Sequence, residues 1–426
     1  MEKLLMLGTT GRGTKELLLE AKSRGLYTII TDNLTPEEAP LKKIADEYWM
    51  ISTSEVDKLE ELCKENGVTA IANGISTFNI SITMELCKRL GLPCYATPEA
   101  WSYTMDKRAF KDVCIECGVP VAKDYFISTN PTEEELNSIE FPVVVKAIDQ
   151  SANRGMSYCN KKQEILEACN NARAVSASET VIVERMLRGH EYTAWYALAD
   201  GKASLMNFGI MLSKDGYPSN CYSITTTNSN HIDRYLDEVD ENFKKVLNTI
   251  GCKEGIAWLE MMLDEDGHFY ALEMGYRMSG DMMARVHKYA VGFDTYSWLI
   301  DVATGVAHSE KNLPVSQTKL PNRCGCSYIL WSEDGGVISK VEGLEALDQL
   351  HNVHINVDGR LLPGMTVKKH QYLLVITFDT EDFSSMCETI TYINQNVKIF
   401  TENGENIVIY YDNYDELIKI DNDARS

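Results

Sequence analysis

Two apolar runs flank an Asp-Gly pair, Asp266-Gly267, in the stretch WLEMMLDEDGHFYALEMGYRMSGD at 258–281. That arrangement is the strongest short-range signal for a β-hairpin, because the favoured tight turn needs positive φ at its central residues. A two-residue loop pairs Glu265 with His268, and counting five residues outward from each sets Glu260 opposite Glu273. Opposed side chains in a hairpin hold their Cβ atoms roughly 5 Å apart, where like charges repel. A cation between them removes the repulsion, and carboxylate oxygens suit a hard ion such as Mg²⁺. Arg277 follows four residues after Glu273, near enough to hold an anion. From these residues alone two readings stand evenly: a cation site, or a solvated hairpin whose exposed face is acidic. A different loop length turns the two glutamates into diagonal neighbours.

The rest of the chain narrows the partners. Its formal net charge of −22 argues against a nucleic-acid backbone or an anionic membrane surface. A small anionic ligand needs only local positive charge and stays allowed. No apolar run approaches the roughly 18 residues of a membrane span. The opening MEKLLMLGTT reads as a first strand rather than a signal peptide. Twelve cysteines are scattered without a disulfide framework, which points to packed, reduced thiols and a cytoplasmic location. Cys114 and Cys117 form a lone C-x-x-C in a helical pattern and read as helix-face residues rather than zinc ligands.

Residues 3–7 form an apolar strand, Gly8, Gly11 and Gly13 break it, 14–24 has helical periodicity, and 26–31 is a second strand ending at Asp32. This is a βαβ unit. Helix 55–66, strand 68–72 and helix 79–90 extend it into an open parallel sheet. The spacing G-x-x-G-x-G is not the dinucleotide fingerprint G-x-G-x-x-G. It reads as a tight turn, or as helix N-terminal amides that meet an anionic substrate. Beyond residue 97 the expected elements are a helix over 98–117, strands at 141–147, 156–159, 181–187 and 191–199, and helices at 162–174, 237–250 and 282–304. Residues 311–426 hold many short β-like runs separated by Gly-containing turns. The fold class is therefore α/β followed by α+β.

Several local features add up to nucleoside triphosphate chemistry. Lys146 ends the apolar run FPVVVKA, where an unpaired charge is costly unless it meets an anion. The loop 151–155, with Ser151, Arg154 and Gly155, offers exposed amides and a guanidinium to phosphate oxygens. Residues 184–187 offer strand-edge backbone groups to a flat base. No G-x-x-x-x-G-K-[ST] loop occurs anywhere.

The order and wording of four segments resemble the ATP-grasp superfamily, in the branch of biotin carboxylase, carbamoyl phosphate synthetase and the carboxylate–amine ligases. They are MDKRAFKDVCIECGVPV at 105–121, FPVVVKAIDQSANRGM at 141–156, VIVERMLRGHEYTAWYALADG at 181–201 and the hairpin at 258–281. The resemblance implies a pre-ATP-grasp domain at 1–97, an ATP-grasp domain with its lid at 98–310 and a β-rich third domain at 311–426. It implies ATP with Mg²⁺ or Mn²⁺ as cofactors. Lys107 and Lys146 match the lysines that hold the ATP phosphates, and Ser151, Arg154 and Gly155 match the flap over them. Glu184, Arg185 and Leu187 fall on the adenine hinge, and Glu191 lies near the ribose. Glu260 and Glu273 match the metal ligands, and Arg277 the arginine that steadies the acyl phosphate or carboxylate.

One position departs from the pattern. Where the family often carries Glu-x-Asn-x-Arg, this chain has Glu273-Met274-Gly275-Tyr276-Arg277. The implied activity is a C–N ligase that joins a small carboxylate to an amine through an acyl phosphate. Alternatives are a bicarbonate-using carboxylase or carbamoyl-phosphate-type enzyme, and a nucleotide-binding regulatory protein without turnover, for which Gly275 is the only direct support. A homodimer is implied by the resemblance alone.

Overall fold

The computed structural model describes residues 2–425 except 151–153, 218–220, 228–229, 319–322, 352 and 360. The expected N-terminal parallel sheet is present, in the order Glu47–Trp49, Tyr27–Thr31, Lys3–Leu7, Ala70–Asn73. Helices Thr14–Ser23, Val56–Asn66 and Thr77–Leu90 accompany it. The three-residue strand Glu47–Trp49 has no apolar run to announce it.

A second, antiparallel sheet has nine strands among the described residues. From one edge it runs Phe269–Gly275, Gly255–Asp264, Gly189–Ala199, Lys202–Ser213, Tyr222–Thr226, Cys324–Ser332, Tyr372–Thr380 and Asn356–Asp358, with Val408–Ile409 also paired to Cys324–Ser332. The sheet thus continues across residue 310 into the C-terminal third. That third also carries helices Phe383–Asn396 and Tyr414–Arg425, which the short β-like runs did not foretell. A small antiparallel sheet of Ser157–Cys159, Val143–Ala147 and Val181–Arg185 has its own core under helix Ile165–Val175.

Two expected helices are each broken in two, for the same reason. The stretch 98–117 divides into Pro98–Met105 and Lys107–Cys117, because Asp106 stays extended and its carboxylate accepts from the N–H groups of Arg108 and Ala109. The stretch 282–304 divides into Met283–Ala290 and Thr295–Thr304. Gly292 takes φ 73° there, and Asp294 caps the second helix by accepting from the Ser297 N–H. An Asp that satisfies orphan helix N–H groups can start a helix inside a continuous helical pattern. The first break makes Lys107 the first residue of a helix.

Candidate active site

Glu260 does pair with Glu273, by a route the sequence did not reveal. At the tip the Asp264 N–H donates to the His268 carbonyl, so the loop holds three residues and Gly267 sits at φ 83°. The expected Glu265–His268 pairing is absent. Met261 then faces Ala271, and a bulge between Glu260 and Met261 takes up Leu272 as an extra residue. The longer loop and the bulge each shift the register by one residue, in opposite senses, and cancel. Three-residue hairpin loops with glycine in the left-handed region are a common alternative to two-residue ones.

Pairing also decides what shares the face of these carboxylates. Glu260 lies opposite Thr193, and Glu191, two residues away on the same strand, lies opposite Met262. Burial, followed by the negative charges of Glu273, Glu191 and Asp281, drives the Glu260 carboxyl well above the usual range, while Arg277 opposes the shift. Burial and the charge of Glu273 push Glu191 up to about 7, against Lys146. Half-buried carboxylates held above their ordinary pKa are short of a cation. Oxygen donors suit a hard divalent ion, which takes its other ligands from phosphate or water. Among the described residues no group of three or more His, Cys, Asp or Glu side chains forms a closed metal cage.

Cationic side chains approach this face. The Lys107 ammonium donates to Glu273 Oε2 at 3.0 Å and to the Gln150 carbonyl at 3.0 Å. Lys146 forms an ion pair with Glu184. Arg277 donates to the Met278 carbonyl at 2.6 Å and its guanidinium stands 5.3 Å over the Trp258 ring. Burial lowers its pKa, while Glu260 and Glu273 favour its charge.

The remaining expected positions divide. Glu184 is buried, with its carboxylate spent on lysines and its backbone paired with Val144 and bridged to Asp124. The Arg185 side chain turns to Asp264, 2.6 Å away, and stacks 4.8 Å from Tyr270 at the hairpin tip. Leu187 lies in the connector between strands Val181–Arg185 and Gly189–Ala199. Arg154 is exposed and Gly155 is half-buried at φ 73°, while Ser151 lies outside the described residues. His287 is buried and kept neutral, edge-on to Trp195.

The missing asparagine has a steric explanation. Gly275 pairs with Trp258, and a Cβ at 275 would come within 2.2 Å of the indole ring. The tryptophan occupies the space a side chain there would need, and it carries Arg277 on its face. Trp258 is buried, as expected for a core residue, and it also supports the site.

Sequence reasoning missed Lys111. Its ammonium donates to Glu184 Oε2 at 2.8 Å and to the Ala122 carbonyl at 3.0 Å, and it pairs with Asp124. Only its place one turn after Lys107 in the helix Lys107–Cys117 could have flagged it. Its side chain is 5% exposed and that of Glu184 7%, so Lys111→Met leaves a buried carboxylate with one lysine instead of two. The expected cost is about 3 kcal/mol, read as a lowered denaturation midpoint, with Lys146→Met costing less because it removes one contact rather than three.

Glu191 sets a pH dependence. An acid raised in the folded state stabilises fully below its unfolded pKa and loses that contribution as pH rises through the folded value. In metal-free buffer, wild type should therefore lose stability relative to Glu191→Gln between about pH 4.5 and about pH 7. Parallel thermal melts across that window should diverge; parallel curves would contradict the assignment.

Residues 106–311 match the family described as the carbamoyl-phosphate synthase L chain, ATP binding domain. The formate-dependent phosphoribosylglycinamide formyltransferase of Prochlorococcus marinus is 29% identical over 197 residues, covering 45% of this chain and 50% of that protein. The corresponding enzyme of Haloquadratum walsbyi is 30% identical over 191 residues, 43% of this chain and 46% of its own. The chain spans about half the length of these curated relatives. Among solved structures, the biotin carboxylase domain of Hydrogenobacter thermophilus 2-oxoglutarate carboxylase, a dimer in complex with MgADP, ADP and bicarbonate, superposes with TM-score 0.75 at 18% identity, over 94% of this chain and 92% of that one. The L-amino acid ligase of Bacillus licheniformis gives 0.74 at 16%, over 95% and 99%. These structural likenesses establish the fold. No helix among the described residues is long and apolar enough to cross a membrane. Motif order, fold and the match over residues 106–311, just under half of this chain, agree in one likeness, to the ATP-grasp superfamily in the branch of biotin carboxylase, carbamoyl phosphate synthetase and the carboxylate–amine ligases.

Proposed function

We propose that this chain is an ATP- and Mg²⁺-dependent ligase that joins a small carboxylate to an amine, forming a C–N bond through an acyl phosphate and releasing ADP and phosphate. The observation that carries the reading is the opposed Glu260–Glu273 pair, with Lys107 on one carboxylate and Arg277 on the same strand connection. Glu260 and Glu273 would hold the metal, which when bound neutralises phosphate charge and aligns the transferring group. Lys107 and Lys146 add fixed positive charge for the phosphates. The backbone of 184–187, with Arg185 and Leu187, borders the base, and Glu191 lies beside the ribose. Ser151, Arg154 and Gly155 belong to the cover that keeps water from the acyl phosphate. Arg277 steadies the substrate carboxylate and the negative charge that develops when the amine attacks. The working division remains 1–97, 98–310 and 311–426, with small-molecule carboxylate and amine substrates.

The test is incubation with ATP, Mg²⁺ and pooled amino acids, with nucleotide products separated by chromatography. ADP and phosphate released only in the presence of substrate support the reading. AMP and pyrophosphate overturn it.

A further inference from the structure

Beyond Asp281 the three parts of the chain meet in a mixed-charge side-chain cluster that the roles above do not use. Arg12, from the Gly-rich turn, donates Nη1 to the Gly280 carbonyl at 2.7 Å, three residues past Arg277. Its guanidinium lies 3.7 Å over the Tyr372 ring. Its Nε stands 4.0 Å from Asp358 Oδ2, beyond hydrogen-bond reach, with side chains 29% and 26% exposed. Arg285 lies beneath, 5% exposed, and joins Asp358 Oδ1 at 3.2 Å to Glu16, whose Oε1 accepts from its Nε at 2.8 Å.

Several polar atoms here lack partners. Glu16 Oε2 and the Tyr372 hydroxyl are buried with no hydrogen-bond partner among the described residues. Among the described residues the Arg12 side chain makes one hydrogen bond, leaving most of its donors open. Buried polar groups are normally satisfied, so a local shortage of partners points to a ligand or ordered water. The cluster lies beside the carboxylate face, since Asp281, Glu260 and Arg12 all act on the Tyr222 hydroxyl. Tyr222, Trp331 and Tyr372 form a run of edge-on rings, with centroids 6.4 Å and 5.8 Å apart, from the large sheet to Arg12. Ser327 fixes the Asp281 backbone between the two.

We propose that Arg12 binds the carboxylate of the amine substrate, so that this substrate is an amino acid rather than a simple amine or a phosphate ester. The proposal rests on the ligase reading above. An acceptor anchored at Arg12 extends its amino group past Asp281 toward Glu260 and Arg277. Asp358 and Glu16 limit the charge the cluster accepts. Two guanidinium groups, Arg12 and Arg285, face Asp358 and Glu16, and Arg12 also acts on the buried Asp281 carboxyl, so an added carboxylate is met by the open donors of Arg12 and not by a surplus of positive charge. A phosphate monoester brings about −2, and the same carboxylates repel it more strongly than they repel a single carboxylate.

The alternative role for Arg12 is a structural latch between the first and last thirds of the chain. Steady-state kinetics on the full chain separate the two. Phosphate release is measured with ATP, Mg²⁺ and pairs of the twenty amino acids, and with phosphoribosylglycinamide plus formate. Arg12→Ala should raise KM for the responding amine partner by roughly 10- to 100-fold, the worth of a charge-assisted hydrogen bond. KM for ATP and the melting temperature should stay near wild type, and Arg12→Lys should recover part of the loss. The methyl ester of the same amino acid, lacking the charge, should be used equally by wild type and Arg12→Ala. An unchanged amine KM in Arg12→Ala overturns the proposal. So does a joint rise of both KM values with a fallen melting temperature, which marks a latch. Turnover with phosphoribosylglycinamide but no amino acid overturns the Arg12 assignment alone. Absence of Mg·ATP stabilisation in the wild-type melt overturns the underlying ligase reading.

Discussion

Glu273→Gln should reduce Mg·ATP-dependent turnover by more than about 100-fold, beyond the 10- to 100-fold typical of residues that only support a metal ligand. The change removes a carboxylate charge from the pair and weakens the partner that holds Lys107 at 3.0 Å. Glu260 should respond in the opposite sense in its ionisation. Its carboxyl is raised first by burial and next by Glu273, so removing that neighbouring charge lets it ionise at lower pH. The loss of turnover should therefore come without loss of fold. Circular dichroism and thermal melts of Glu273→Gln check the fold, and ADP release checks the chemistry. Turnover at the wild-type level would remove the hairpin from the mechanism.

Gly275→Asn, which writes the more usual family residue into this chain, should destabilise the protein rather than improve it. A Cβ at 275 falls within 2.2 Å of Trp258 Cε2 and Cζ2, inside any tolerable contact. Forcing a side chain into a filled core costs about 1–3 kcal/mol, and more where neighbours cannot move. Trp258 cannot shift freely, because Arg277 stands on its ring. Both stability and turnover should fall. The double variant Trp258→Ala/Gly275→Asn should recover part of the stability, since the two changes share one space and are not additive. If Gly275→Asn melts as wild type, Trp258 does not fill the place of the missing side chain. Glycine at this position has a packing cause, which removes the only direct support for a chain without catalysis.

The parts of the fold with strong local signals were legible in the sequence. The N-terminal βαβ unit, the apolar run around Lys146 and the opposition of Glu260 to Glu273 follow from periodicity and turn chemistry. The hairpin was nevertheless right for an incomplete reason. Nothing local announces the bulge at Leu272, and without it the three-residue loop would have put the glutamates out of register. The helix breaks at Asp106 and at 291–294 were legible in principle, since Asp106 and Asp294 are good caps, but apolar periodicity runs through both. Asp358 and Arg12 were illegible for a different cause. Their partners lie up to 346 residues away, and no short pattern records an ion pair across the whole chain. The C-terminal strands looked like a separate unit for the same reason: sheet neighbours are set by tertiary pairing, not by the runs themselves.

Oxygen transfer tests the central claim most directly. The carboxylate substrate identified by ADP release is labelled with ¹⁸O in both carboxyl oxygens and turned over with ATP, Mg²⁺ and the amine. Attack of the carboxylate on the γ-phosphate, followed by amine displacement, carries one labelled oxygen into each released phosphate, visible by mass spectrometry or phosphorus NMR. Label in inorganic phosphate, with ADP formed in equal amount, is the result an acyl-phosphate ligase gives. Label in AMP, or phosphate released without label, would contradict it.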